Sequence, residues 1–403
     1  MAAAPEPRNE ELHTAPRAGD PPSRIETAAR WLWVALFAGI AARIALQADP
    51  ARNNVYLKVF APAAEAFRSG QALYSLEGGF RYPPLAAAAL WPFAASGEVL
   101  GSILWRLANA IPLWLGVRAC FRAGFPFPLR SRERGVFLIL LAVSEVVSLN
   151  NGQPNVLISG LLLLSAAGAA TGRALGPAAS IAVAAAVKVY PLAYGLVLGV
   201  LRARIWLPLA ALVAACGLLP FAIRDEAYVA AQYRDLFDLL ASEDRTADLA
   251  NAYRDFRLLA AAAGLPLPPG VFPALQALSG AGIAGLAFWA RRRGGSIEAL
   301  AWKSFSLTMC WFMLFGPATE KSTYALLGPT LAFSAILAWR SGGLAARCSW
   351  TLANALVVLA HVAEPGRAVQ AAHPWTRCAL PAAALIAAFA ALGETRRGRR
   401  DAR

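Results

Sequence analysis

Between residues 31 and 392 the chain is a succession of apolar runs separated by short polar breaks. Several runs, such as WLPLAALVAACGLLPFA at 206–222, reach the roughly 17–25 residues that one helix needs to cross a bilayer. Lipid offers no water to peptide N–H and C=O groups, so a crossing segment must satisfy them within itself, as a helix does. The fold class that follows is all-α and integral to the membrane, a polytopic helical bundle. Composition agrees: 58% of the residues are hydrophobic and the mean hydropathy is +0.49. A soluble domain of this length would alternate apolar and polar faces instead. The net charge of +14 would suggest nucleic acid in a soluble protein. Here the cations cluster between apolar runs, as charges of cytoplasmic loops do, so the expected surface partners are membrane lipids and no nucleic acid.

The runs lie at 31–47, 83–121, 135–149, 152–170, 176–201, 206–222, 271–290, 298–316, 322–338, 348–363 and 377–392. Two topologies fit, each with about twelve spans and both termini inside. In the first, 83–121 crosses once and Lys188 divides 176–201 into two short spans. Every basic loop is then inside and every polar motif outside. In the second, 83–121 crosses twice and 176–201 once, which makes the basic loop at 122–134 an exception. The first obeys the positive-inside rule throughout and is preferred. Residues 1–30 read as a disordered cytoplasmic tail, 31–393 as one membrane domain and 394–403 as a basic tail. The apolar core begins too late for a cleavable signal. A bacterial inner membrane is the expected location. The five cysteines show no paired spacing that would support a disulfide framework or a zinc site.

The polar breaks carry the candidate chemistry. The first long loop, 48–84, contains Asp49, Asn53, Asn54, Tyr56, Arg81 and Tyr82. Within it 57–68 predicts a short helix with one apolar face, kinked at Pro62 and ended by Gly70, suited to the membrane interface. A second polar segment, 224–269, predicts an amphipathic helix and a charged turn, then Tyr253-Arg254-Asp255. Asn150, Asn151, Gln153 and Asn155 place four amides in six residues, donors and acceptors suited to sugar hydroxyls or phosphate. Lys188 interrupts an apolar run beside Tyr190, and a cation so placed usually has a function or a counter-ion. Glu320, near Tyr324, is the only acid between Glu298 and Glu364, and a carboxylate in a partly apolar pocket can serve as a base. Arginine reads phosphate in two-pronged fashion, which makes Arg81 and Arg254 phosphate candidates. His13, His361 and His373 are scattered. With no metal cluster, P-loop or dinucleotide fingerprint, neither a metal nor a cofactor is expected.

AFRSGQALY followed by FRYPPL, then NNGQPNVLISGLLLL, then AVKVYPLAYGLVL, resembles glycosyltransferase family 87 over about 48–324. The resemblance implies a GT-C-type bundle related to polyprenyl-phosphate-mannose-dependent mannosyltransferases. It implies a polyprenyl-phosphate-sugar donor and a lipid or glycan acceptor at the outer face. Members carry an aspartate in the first outer loop as the catalytic base. That position falls near Tyr56, where this chain has no acid. Asn53 and Asn54 stand close, but an amide accepts no proton at neutral pH. Asp49 or Glu320 is then the base, unless the chain is not an active transferase. The expected reaction is an inverting transfer in which Lys188, Arg81 or Arg254 meets the phosphate and the amides hold sugar hydroxyls. The rival reading is a transporter or flippase of a polyprenyl-linked sugar, which needs the cavity but no base. A third is a non-catalytic partner in envelope assembly.

Overall fold

The computed structural model of the protein describes residues 21–242, 252–364 and 366–397, and among these all regular secondary structure is helical. Most of the N-terminal tail, the charged turn after 242 and the last basic residues lie outside the described residues. Helix α1 (Arg24–Leu46) begins inside the stretch assigned to the tail. Ser23 caps it, accepting from Glu26 N, and Glu26 is itself held by Ser131 and Arg134. The polar first turn is thus stable without being apolar.

The first loop then forms a π-helical turn (Tyr56–Phe60) and α2 (Ala61–Ser69), which stops at Gly70 with φ 73°. The sequence predicts this stop, because glycine adopts that left-handed conformation without penalty. The buried face of α2, Ala63, Ala64, Ala66 and Phe67, packs on α3 (Pro84–Ala89) and α4 (Trp91–Ala94). Protein rather than lipid therefore covers it. Next come α5 (Glu98–Ala123), α6 (Ser131–Asn151), α7 (Asn155–Ala170), α8 (Leu175–Val187), α9 (Pro191–Leu201), α10 (Trp206–Ile223), α11 (Glu226–Ser242) and α12 (Phe256–Ala262). The remainder is α13 (Val271–Arg292), α14 (Ile297–Phe315), a 3-10 turn (Lys321–Leu327), α15 (Gly328–Ser341), α16 (Leu344–Val362), α17 (Arg367–Ala372) and α18 (Ala379–Arg397).

Among the described residues six helical segments are long and apolar enough to cross a membrane: α1, α5, α10 and α15 with their leading turns, α13 and α16. The paired α3–α4, α7, α8, α9 and α18 are apolar but shorter. The run at 83–121 is thus two short helices followed by one long one.

Lys188 breaks its run into helices of 13 and 11 residues, about 20 and 16 Å long, well short of a hydrocarbon core of ~30 Å. Ile181 lies against Gly195, and Arg202 reaches back to Ala170 O. α8 and α9 therefore form an antiparallel hairpin with Lys188 at its tip. Beside it, α5 and α7 approach closely at Gly116 and Gly160. A Cβ on Gly160 would lie 2.2 Å from Leu113 N, so only glycine permits this crossing.

Contacts sort the loops into two ends. At one end Gln153 meets Glu320, Asn155 meets Lys188, Arg224 meets Phe67 O, and Arg254 meets Glu364. At the other, Glu26 joins Ser131 and Arg134, and Glu133 joins Arg340. This is the grouping that the first topology requires.

Candidate active site

The polar end is organised by a chain of four side chains from three loops. Lys188 Nζ donates to Asn155 Oδ1 at 2.9 Å, Asn155 Nδ2 donates to Gln153 Oε1 at 3.0 Å, and Gln153 Nε2 donates to Glu320 Oε2 at 3.1 Å. Asn155 is wholly buried. Each amide both accepts and donates, so the orientation of one sets that of the next. Glu320 caps the 3-10 turn: its carboxylate accepts from Thr323 N, and Thr323 Oγ1 accepts from Glu320 N at 3.1 Å.

The amide turn is itself held from below by Arg106 of α5, which is 1% exposed. Arg106 donates to Leu149 O, Asn150 O, Ser102 O and Asn54 Oδ1. A guanidinium at the end of α6 satisfies carbonyls that lack helical partners and sits favourably at the helix dipole. Trp105 Nε1 donates to Gly152 O at 2.7 Å.

A cavity of about 470 Å³ opens beside this chain, and Arg81, Tyr82, Gln153, Lys188, Tyr190, Tyr253 and Glu320 all line it. The sequence singled out all seven. Lys188 Nζ stands 5.6 Å from the ring centre of Tyr82 and 5.8 Å from that of Tyr190, an aromatic collar around the cation. Gly78 and Gly79 carry Arg81 into the wall. A Cβ on Gly78 would lie 2.0 Å from Lys58 O, so the loop can pass the π-helical turn only as glycine. Leu236 and Leu240 of α11 and Phe272 of α13 are among the apolar residues of the wall.

Other predicted residues stand elsewhere. Asp49 is exposed in the turn after α1, where its Oδ1 accepts from Ala51 N at 2.9 Å. Asn53 is exposed with φ 52°. Asn54 is interior and donates to Pro50 O and Ser102 Oγ. Tyr56 is fully buried in an aromatic cluster with Trp105, and burial pushes its hydroxyl up to about 12. The first-loop side chains that do reach the cavity from this turn are Val55 and Val59. Where the resemblance implies a carboxylate, this chain offers the cavity only aliphatic groups.

Asn150 contributes its carbonyl to Arg43 and Arg106. Arg254 pairs with Glu364, its N–H donates to Thr319 O at 2.7 Å, and its carbonyl accepts from the buried Tyr324 hydroxyl at 2.8 Å. Asp255 is buried, caps α12 and binds Arg257. A second, smaller cavity of about 240 Å³ takes in Asn151 and Arg254, and shares Gln153, Tyr253 and Glu320 with the first.

Sequence reasoning missed three residues. Arg106 could have been found by the signal that marked Lys188, a cation inside an apolar run. Arg257 lines the large cavity over the Phe272 ring at 4.3 Å, yet nothing in the sequence separates it from Arg254. Gln276 of α13 also lines that cavity.

The profile of glycosyltransferase family 87 matches residues 80–317, more than half of the chain. The chain belongs to glycosyltransferase family 87. No curated protein matches it. As a family 87 member it is a multi-pass membrane glycosyltransferase, acting between a sugar donor and an acceptor. Within this family 87 chain the match spans Arg81, Gln153, Asn155, Lys188 and Arg257. Asp49, Asn53, Asn54, Tyr56, Glu320 and Tyr324 fall outside it.

Proposed function

We propose that this family 87 enzyme moves a hexose, mannose in our reading, from a polyprenyl-phosphate carrier to a lipid or glycan acceptor at the outer face of the cell membrane. One observation carries the reading: a cavity lined by Lys188, Arg81 and Arg257, with Glu320 as the one lining carboxylate among the described residues, adjoins an apolar groove. The groove, about 370 Å³, runs between α9, α13 and α14 past Leu196, Ala281, Ile283 and Trp311. Gln276 belongs to the walls of both spaces. An isoprenoid chain suits the groove, with its phosphate turned to Lys188, Arg81 and Arg257 and its sugar toward Gln153 and Glu320.

The transfer is inverting. The acceptor O–H breaks, its proton passes to the Glu320 carboxylate, and the oxygen forms the new bond at the anomeric carbon. The bond from that carbon to the phosphate oxygen breaks, and its electron pair leaves on the lipid phosphate. Fixed cations in a water-poor site stabilise that charge as it develops. The position of Asp49, exposed in its own turn, favours Glu320 over Asp49 as the base.

The test is transfer from radiolabelled polyprenyl-phosphate-mannose by purified protein in lipid. Glu320→Gln is expected to lower turnover by about 10²–10⁴-fold, the usual worth of a general base, with donor binding retained. Asp49→Asn is expected to stay near the parent. Full activity of Glu320→Gln would remove the proposed mechanism. Donor binding without turnover in the parent, over a range of acceptors, would favour the transporter reading.

A further inference from the structure

We propose that the end of the bundle opposite the amide turn holds an acidic phospholipid, its phosphate taken by Arg202 between the turns that follow α7 and α9, with Arg173 and Arg204 beside it. Helices α7 and α9 both start at the polar end, at Asn155 and just after Lys188. Their last residues therefore bring 171–174 and 202–206 together at the far end. Arg202 Nη2 donates to Ala170 O at 3.5 Å, and a Cβ on Gly172 would lie 3.9 Å from its Nη1. Between Glu145 and Asp225 the chain has no acidic residue. Three other arginines of that end do find one: Arg30 and Arg134 pair with Glu26, and Arg340 pairs with Glu133. Arg173, Arg202 and Arg204 have no acidic partner among the described residues.

A cation at the end of α7 suits the helix dipole, but that role uses one N–H of Arg202 in one long contact. Its Nε is buried and donates to no described residue. A guanidinium is a fork of N–H groups that matches phosphate, so Arg202 is under-bonded where it stands. Arg173 and Arg204 are exposed and add charge to the same spot. The surroundings select a lipid over a soluble phosphate. Trp206 is exposed, and its ring lies on α9, where a Cβ on Gly199 would stand 2.5 Å from Trp206 Cε2. Indoles collect at the boundary between membrane and water, which sets the three arginines at headgroup level. Leu175 and Leu207, next along the chain, are 65% and 81% exposed and give acyl chains an apolar surface. Basic sites between membrane helices are suited to acidic headgroups in this way. The arginines at 291–293 differ, because Arg292 and Arg293 lie over the Phe288 and Trp289 rings of their own helix. None of Arg173, Arg202 and Arg204 lines either cavity of the polar end, so the site stands apart from the transfer reaction.

The experiment is native mass spectrometry of the full chain released from nanodiscs that hold equal parts of dioleoylphosphatidylglycerol and dioleoylphosphatidylcholine. The fraction of protein that keeps each lipid is the readout. The parent should keep the acidic lipid about tenfold over the zwitterionic one, and Arg202→Gln should lower that preference about fivefold. Changing Arg173, Arg202 and Arg204 together to Gln should abolish it. The same change at Arg291, Arg292 and Arg293 removes equal charge and should leave the preference in place. Glycerol 1-phosphate in solution should not displace the lipid. If Arg202→Gln shows no cooperative melting, Arg204→Gln, at an exposed position, serves as the second variant, with a loss of about twofold or more. Equal retention of the two lipids by the parent, or equal losses from the two triple variants, would overturn the proposal. Displacement by glycerol 1-phosphate would overturn the lipid and leave a site for soluble phosphate.

Discussion

An ammonium group can only donate a hydrogen bond, and that restriction at Lys188 orients everything up to Glu320. Asn155 must turn its carbonyl to Lys188, so its amide nitrogen points to Gln153. Gln153 in turn has only its own nitrogen left for Glu320. Asn155→Leu keeps the size and removes the polarity. It should leave the half-buried ammonium short of a partner, at a cost of about 1 kcal/mol, and free Gln153 to rotate. We expect about 10–10²-fold slower transfer, in line with the loss of one polar stabilising contact, and a lower melting temperature, read by turnover and thermal unfolding on one preparation. Unchanged turnover would mean that the chain of amides is only structural. The sequence marks all four residues by their unlikely place in apolar surroundings. Their order along one hydrogen-bonded path joins residues up to 167 positions apart and is invisible in it.

At the scale of elements, two local rules shape the site. The break at Lys188-Val189-Tyr190-Pro191 ends α8 and starts α9, because proline cannot continue the helix before it. The glycine crossing of α5 and α7 then sets how near Trp105 and Arg106 come to the amide turn. Gly160→Val would drive a side chain into the Leu113 and Pro112 backbone. We expect a loss of about 1–3 kcal/mol or more from overpacking, seen as a lower unfolding midpoint. Gly176→Ala, at a glycine with open space around it, should change stability by less than about 1 kcal/mol and toward stabilisation. Equal effects of the two changes would refute the close-approach argument. Helix existence, the Gly70 stop and the Lys188 break were legible in the sequence. The burial of α2 on α3 and α4 was not, since an apolar face does not say whether lipid or protein covers it.

For the whole molecule, Glu364 ties together parts far apart in the chain. It accepts from Lys321 at 2.8 Å and pairs with Arg254, linking the 252–255 segment, the turn after Glu320 and the exit of α16. Burial opposes its charge, but Lys321 and Arg254 outweigh burial and hold its carboxyl below the usual glutamate range. A carboxyl lowered in the folded state adds stability above its unfolded value, about 4.3, and loses it as pH falls through the folded value. Thermal stability should therefore decline below about pH 4.3. Glu364→Gln should be less stable at pH 7 and lack that part of the acid dependence, as pH-resolved melting curves would reveal. A parallel acid dependence in the variant would remove Glu364 as its source.

The sequence by itself determined the membrane class, the helical fold and the family, and it favoured one of two ways of sorting the basic and polar loops. Each depends on the apolar content, charge or residue order of a single stretch of chain. Only the tertiary structure decided which polar residues share a cavity. It set Arg257 in the wall and engaged Arg254 in a clamp, turned Val55 and Val59 to the cavity, and left Glu320 as its one lining carboxylate among the described residues. Those outcomes depend on how helices cross and which way side chains face, and such information is carried by packing between distant segments, not by any one of them.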